Sequence, residues 1–234
     1  RPPRSTHFPY TTLFRSARND FERAAALYEN VLASGVEASG LYYNMGNVYY
    51  KLKQVPLAIL YYEKALRVNP SDEDARFNLQ MAQRFVVDKI DALPELFITT
   101  WFVSIINLNG SDSWAIYSLV SFTLMLALLS FFFFSKSRSI KKIGFSGALL
   151  GLILSLVFIG FAHYQHKWAV DPDYAIVVAP STTIKSTPDQ SGTDLFLIHE
   201  GLKVNITDKV GDWVEIKLSN GNKGWMPENG IKRI

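Results

Sequence analysis

The chain of 234 residues has no cysteine, which excludes disulfides, thiolate catalysis and cysteine-ligated metals and suits a reducing or an oxidising compartment equally. Histidine is scarce too. The four present form neither a catalytic triad nor a metal-ligand set, and His163 and His166, close together in sequence, have no third ligand beside them. No glycine-rich phosphate loop occurs. These absences point away from an enzyme and from any cofactor or metal. The cationic excess is small, 24 Lys and Arg against 21 Asp and Glu for a net +3. Four of those cations crowd into one short link, and no basic face interleaved with stacking aromatics remains to recruit nucleic acid.

Two stretches, residues 114–134 and 143–162, lack charge altogether. Each is about 20 residues, the length an α-helix needs to cross roughly 30 Å of hydrocarbon. Between them, link 135–142 carries Lys136, Arg138, Lys141 and Lys142. Basic residues in short loops stay on the cytoplasmic side, so these four act as topology determinants: the link faces inward and both flanking domains outward. The chain then spans as a hairpin, helix 114–134 going one way and helix 143–164 returning. Trp114 and Tyr117 open the first span, and Tyr164 and Trp168 follow the second, where amphipathic rings favour the outer interface. The competing view, two buried helices of a soluble protein, is opposed by run length and by four consecutive phenylalanines, 131–134, which a helix presents on every side. Neither span holds an ionisable residue, which argues against an ion pathway. Gly147 and Gly151, followed by Ser155, have the spacing that permits close helix approach; glycine is common enough in membrane helices that chance is the preferred explanation here.

Residues 39–70 carry Tyr42, Met45, Gly46, Tyr49, Ala58, Tyr62, Ala65 and Pro70. Small residues at 46 and 58 let two helices approach, aromatics fill the space around them, and Pro70 stops the second helix. Position by position this resembles the tetratricopeptide repeat (TPR), and the register extends over 17–92. Residues 21–32 read as the second helix of a preceding repeat and 73–90 as a helix opening a further one, a solvating cap. Such stacks take peptides or partner helices along the side lined by the first helix of each repeat, which makes Tyr43, Asn47, Tyr50 and Lys51 the candidate partner contacts. Asn47 and Lys51, one turn apart, could grip a peptide backbone or a carboxylate; the bland alternative is a solvated helix face. Residues 1–16, including Thr6-His7-Phe8-Pro9-Tyr10-Thr11-Thr12-Leu13-Phe14-Arg15-Ser16, resemble the translation of a sequencing-adaptor oligonucleotide. They are set aside as an assembly artefact, with the natural start and its secretory signal expected upstream.

Between repeat and hairpin, 93–113 holds an apolar stretch of about a dozen residues, 96–106, short for a span and suited to a helix lying in the interface with Trp101 and Phe102 dipping in. Crossing by this stretch would instead leave the repeat in the cytoplasm. After linker 165–173 and its Asp171-Pro172-Asp173 turn, the pattern changes to short strands at 175–178, 195–198, 203–206, 213–218 and 223–226. Turns at Gly192, Gly201, Gly211-Asp212 and Asn220-Gly221-Asn222 separate them. Residues 174–234 resemble bacterial SH3-like domains, through Lys203-Val204, Gly211-Asp212-Trp213-Val214-Glu215-Ile216, Gly221 and Gly224-Trp225-Met226, with Val177 to Pro188 similar to the opening strand and long loop. The resemblance implies a small barrel whose aromatic faces hold peptides or cell-wall fragments. Trp213 and Trp225, with Tyr174 and Asp212 beside them, are the candidate ligand contacts. Strand alternation offers Trp213 a competing role as core filler, the preferred one for a domain this small; for Trp225 the two roles are evenly matched.

The fold class is therefore multi-domain: α-helical TPR hairpins, a two-helix transmembrane hairpin and a small all-β SH3-like barrel. In that order, with Thr193-Asp194-Leu195-Phe196 and the Trp213 segment carrying the closest similarity, the chain resembles the TPR proteins of the Bacteroides aerotolerance operon (BatE-like). That resemblance implies a cell-envelope protein working beside membrane-anchored von Willebrand-type Bat proteins, with a link to oxidative stress tolerance. The expected function is a non-enzymatic scaffold, the repeat recruiting a protein partner and the barrel binding a peptide, a protein or peptidoglycan. The alternatives are a membrane sensor, weakened by an inner link too short to form a signalling domain, and a wall-acting enzyme, for which no nucleophile and base can be named.

Overall fold

The computed structural model describes residues 10–90, 97–170 and 174–234. Most of the adaptor-like stretch, the Pro94 break, the Asp171-Pro172-Asp173 turn and the Trp168 side chain lie outside what is described. The chain divides into two compact units, one holding the described parts of Arg1–Val68, Asp72–Pro94 and Pro172–Ile234, the other Asn69–Ser71 and Glu95–Asp171.

The first unit opens with helices α1 (Tyr10–Ala33), α2 (Ser39–Lys51), α3 (Val55–Val68) and α4 (Glu73–Gln83). Helices α2 and α3 close tightly because Gly46 has no side chain: a Cβ there would stand 2.5 Å from the Tyr62 ring. Ala58 and Ala65 are fully buried, as the repeat pattern requires, and the rings of Tyr49 and Tyr61 stack with centroids 5.3 Å apart. Helix α4 is well started, since the Asp72 side chain accepts from the Ala75 N–H at 2.9 Å and Glu73 and Asp74 favour the positive helix end. It stops at Gln83, about two turns short of the helix to residue 90 that periodicity suggests. Tertiary contact overrides local preference there: Val86 is buried and the Asp88 carboxylate accepts the His199 N–H of the β domain.

That domain has seven strands, not the five expected: β1 (Tyr174–Val177), β2 (Ser181–Lys185), β3 (Asp194–His199), β4 (Lys203–Val210), β5 (Trp213–Lys217), β6 (Lys223–Pro227) and β7 (Ile231–Arg233). They form one antiparallel sheet in the order β3-β2-β6-β5-β4-β1-β7. Its core comprises Ala175, Val177, Ile184, Ile198, Val204, Val214, Ile216, Leu218, Met226 and Ile231. Gly201, Gly211 and Gly221 turn the chain at positive φ, from +58° to +90°.

The second unit contains α5 (Phe97–Ile106), α6 (Ser111–Phe134) and α7 (Arg138–Val170). Helices α6 and α7 are long and apolar enough to cross a membrane. Only residues 135–137 separate them, so Arg138, Lys141 and Lys142 belong to the opening turns of α7 rather than to a loop, because nothing in that stretch breaks a helix. The Gly147 and Gly151 spacing is used in this fold. A Cβ at Gly144, Gly147 or Gly151 would meet the Leu128 carbonyl, the Leu128 side chain or Met125 at 2.9–3.1 Å, so the stripe seats α6 and chance is set aside. Farther along the seam the buried hydroxyls of Ser118 and Ser155 each donate to the other residue's carbonyl, at 2.9 and 3.1 Å. Trp114 is buried rather than displayed at a rim. It packs on Phe158 and Phe161, and its indole N–H donates to the Ile106 carbonyl at 2.9 Å. Gln165, also buried, donates to the same carbonyl at 3.0 Å and to the Asn107 amide oxygen at 2.8 Å.

Candidate functional site

On the helical repeat, the four partner candidates follow the exposed side of α2. Tyr43, Asn47 and Tyr50 are half-buried and Lys51 is exposed. Asn47 is already engaged: its amide oxygen accepts the Tyr62 hydroxyl at 2.7 Å and the Asn78 amide at 2.9 Å. Asn78 also donates to the Tyr43 hydroxyl at 3.3 Å, so Tyr43, Asn47, Tyr62 and Asn78 form one hydrogen-bonded group linking α2, α3 and α4. Asn78 carried no functional signal in sequence, since its position in the repeat register says nothing of the side-chain partners it meets. Tyr50 lies edge-on to Phe85 with centroids 6.2 Å apart, leaving Tyr50, Phe85 and Lys51 as an aromatic and cationic rim. Burial is the main cause that raises the phenols of Tyr49, Tyr61 and Tyr62, and it pushes Tyr42 up to about 12, with Glu37 beside it adding to the shift.

On the β domain the alternation of β5 turns Val214 and Ile216 into the core. Trp213 consequently stands half-buried on the outer face, which corrects the core-filling role preferred from sequence: the inward parity of the strand belongs to its aliphatic residues. In β6 the inward residues are Gly224 and Met226, so Trp225 and Pro227 share that outer face. The register pairs Trp213 with Pro227 and Glu215 with Trp225, making the two tryptophans diagonal cross-strand neighbours. Asp212 lies at the end of this row, where with Pro227, Glu228 and Asn229 it lines an open hollow of about 380 Å³. Charge around the row is organised. The Glu215 carboxyl is held below its usual range first by a hydrogen bond from Thr207 and then by Lys223, and Glu228 by Lys209 and Arg233. The Asp212 side chain is exposed.

Tyr174 does not join this row. It pairs with Asn205 at the start of β4, whereas Trp213 pairs with Val210 at its far end, and its ring receives the Lys203 ammonium at 5.0 Å. The structure thus brings Trp213, Trp225 and Asp212 to one face and leaves Tyr174 near the helices. Among the described residues, no group of three or more acidic or histidine side chains is gathered for a metal. Lys136, Arg138 and Lys142 are exposed and Lys141 is half-buried, at the opening of α7.

Two family models match the chain, the tetratricopeptide repeat over residues 40–72 and the bacterial SH3 domain over residues 180–232. Comparison with curated proteins finds no match. The chain therefore contains a TPR and a bacterial SH3 domain, modules that bind proteins or peptides and are typically without catalytic groups, and the second suggests a bacterial origin.

Proposed function

We propose that this protein is a membrane-anchored, non-enzymatic scaffold of the bacterial cell envelope, of the BatE-like kind. The observation that carries the reading is the surface of α6 and α7, where Leu119, Phe122, Phe131, Phe133, Phe134, Ile143 and Leu156 stand 42–86% exposed. Surface of that kind favours an apolar solvent, because exposing a side chain of this type fully to water costs about 1.5–3 kcal/mol. With the basic turn inside, the repeat and the SH3 domain project into the periplasm from the inner membrane, and α5, about 15 Å long at 1.5 Å per residue, lies in the interface.

In this arrangement the α2 rim of Tyr43, Tyr50 and Lys51 recruits a protein partner, with von Willebrand-type Bat proteins the candidates. The Trp213, Trp225 and Asp212 face holds a peptide or peptidoglycan ligand. Reporter fusions at both ends of the chain test the topology. Periplasmic activity at both is expected, and activity confined to the cytosol overturns the reading. Titration with murein peptides should change tryptophan fluorescence, and Trp225→Ala should abolish the change. Pull-down of a partner that survives the Tyr43→Ala/Lys51→Ala double variant would remove the α2 rim.

A further inference from the structure

We infer that the SH3 domain is the terminal cap of the helical repeat, so that the two fold and unfold as one cooperative body. The inference stands whichever ligand either module takes. It begins with β1, the strand that breaks alternation. Ala175, Ile176 and Val177 are consecutive and all 0% exposed, whereas a strand with one face on the core and the other in water buries every second residue. Ala175 and Val177 enter the sheet's own core, and Ile176 enters the core of the repeat, in one cluster with Ile59, Leu60, Val86 and Ile234. The outer face of β1 thus lies against helix instead of water.

The turn that leads into β4 is shaped to the same contact. Gly201 has φ +86°, and a Cβ there would stand 2.9 Å from the Val86 side chain and 3.5 Å from that of Ile59, so the backbone itself presses on the repeat. Three polar ties surround this apolar patch. Glu63, 6% exposed, pairs with Lys203 at 2.7 Å. The Asp88 carboxylate accepts the His199 N–H at 2.6 Å and meets its ring Nδ1 at 2.9 Å. The Arg67 guanidinium donates to the Ile234 carbonyl beyond edge strand β7.

A repeat stack requires a cap wherever its stacking stops, because each unit leaves an apolar flank for the next. Here α4 opens a further repeat, but residues 84–90, the described chain that follows it in the same unit, form no helix. It runs instead to the sheet, and β1 with the Gly201 turn covers the flank that helix would have covered.

Hydrogen exchange of the full chain in detergent micelles tests the cap. Lys203→Met lies in the sheet and strands a buried carboxylate in the repeat. Ile216→Ala lies in the sheet core and touches nothing in the repeat cluster. Under the inference, both variants accelerate exchange in α2, α3 and α4 together with the strands, by at least about ten-fold. The Glu63→Met/Lys203→Met double variant, which removes both charges, should return the helices towards wild-type exchange. Acceleration confined to the strands, with α2–α4 amides at wild-type rates, would overturn the inference. Should Lys203→Met fail to fold, Ile216→Ala carries the same comparison.

Discussion

The two units of this chain solve the burial problem in opposite senses. In the first, the interior holds Tyr62, Met45, Ile59, Ile176 and Met226, and charge stays outside or is paired. In the second, the seam between α6 and α7 holds glycines, Ser118, Ser155, the buried Met125 and, at one end, Gln165 beside the buried Trp114, while most of the bulky apolar residues are exposed. Of the four buried polar side chains among the described residues, three belong to the hairpin unit, and each has a hydrogen-bond partner. The lesson is that the same forces produce both interiors. In water, apolar area is what must be hidden; in lipid, the surroundings proposed for the hairpin, close backbone approach and satisfied polar groups hold helices together.

Four experiments would break or sharpen that contrast. The largest effect belongs to orientation: replacing Lys136, Arg138, Lys141 and Lys142 together by Glu should reverse or abolish insertion, read as terminal reporters changing sides. In the helical repeat, Tyr62→Ala empties a 1%-exposed site and releases a partner of Asn47, so thermal unfolding in mild detergent should show a loss of about 3–5 kcal/mol. In the hairpin, Gly151→Leu collides with Met125 and should weaken helix contact by about 1–3 kcal/mol, measured by cross-linking between helices. Gly160→Leu, which meets open space, should leave that contact unchanged.

Smallest is a pH signature within the first unit. Tyr42, Tyr49, Tyr61 and Tyr62 are raised mainly by burial, Tyr42 to about 12, so their contribution is complete below about pH 10 and is lost as pH rises through the folded values. Glu215 and Glu228 are lowered by their donors, so theirs is complete above the ordinary glutamate value of 4.5 and is lost as pH falls through the folded values. Tyrosinate absorbance followed against circular dichroism should therefore show stability lost at both extremes, in alkali through the helix phenols and in acid through the sheet carboxylates. Coincident loss of helix and strand signals at both extremes would agree with the capped architecture.

Much of this fold is legible in sequence where a residue's role depends on size or charge alone. Gly46, Ala58 and Tyr62 announce a helical hairpin because only small residues permit the approach and only an aromatic fills it. The uncharged runs announce α6 and α7 by length. Strands β2 and β7 were hidden for a plain reason. Ser-Thr-Thr-Ile-Lys has a single aliphatic residue, although its main partner β3 comes next in the chain, and Ile-Lys-Arg is too short to show a period and rests on β1, far back in the domain. The true end of α4 and the outward turn of Trp213 were hidden likewise, one decided by Asp88 meeting His199 and the other by strand parity. For the candidate contacts, sequence names residue types but not neighbours: Trp213, Trp225 and Asp212 come to one face, while Tyr174 lies beside Lys203.

The last carbonyl of α5 carries a further consequence. Oxygens at a helix C-terminus ordinarily tie that end to water, because they have no partner within the helix. Ile106 gives its oxygen to both the indole of Trp114 and the amide of Gln165, and those of Val103 and Ile105 receive the N–H groups of Asn107 and Leu108. In the proposed membrane arrangement, three of the last four acceptors of this ten-residue helix therefore need no water when that end settles below the lipid headgroups.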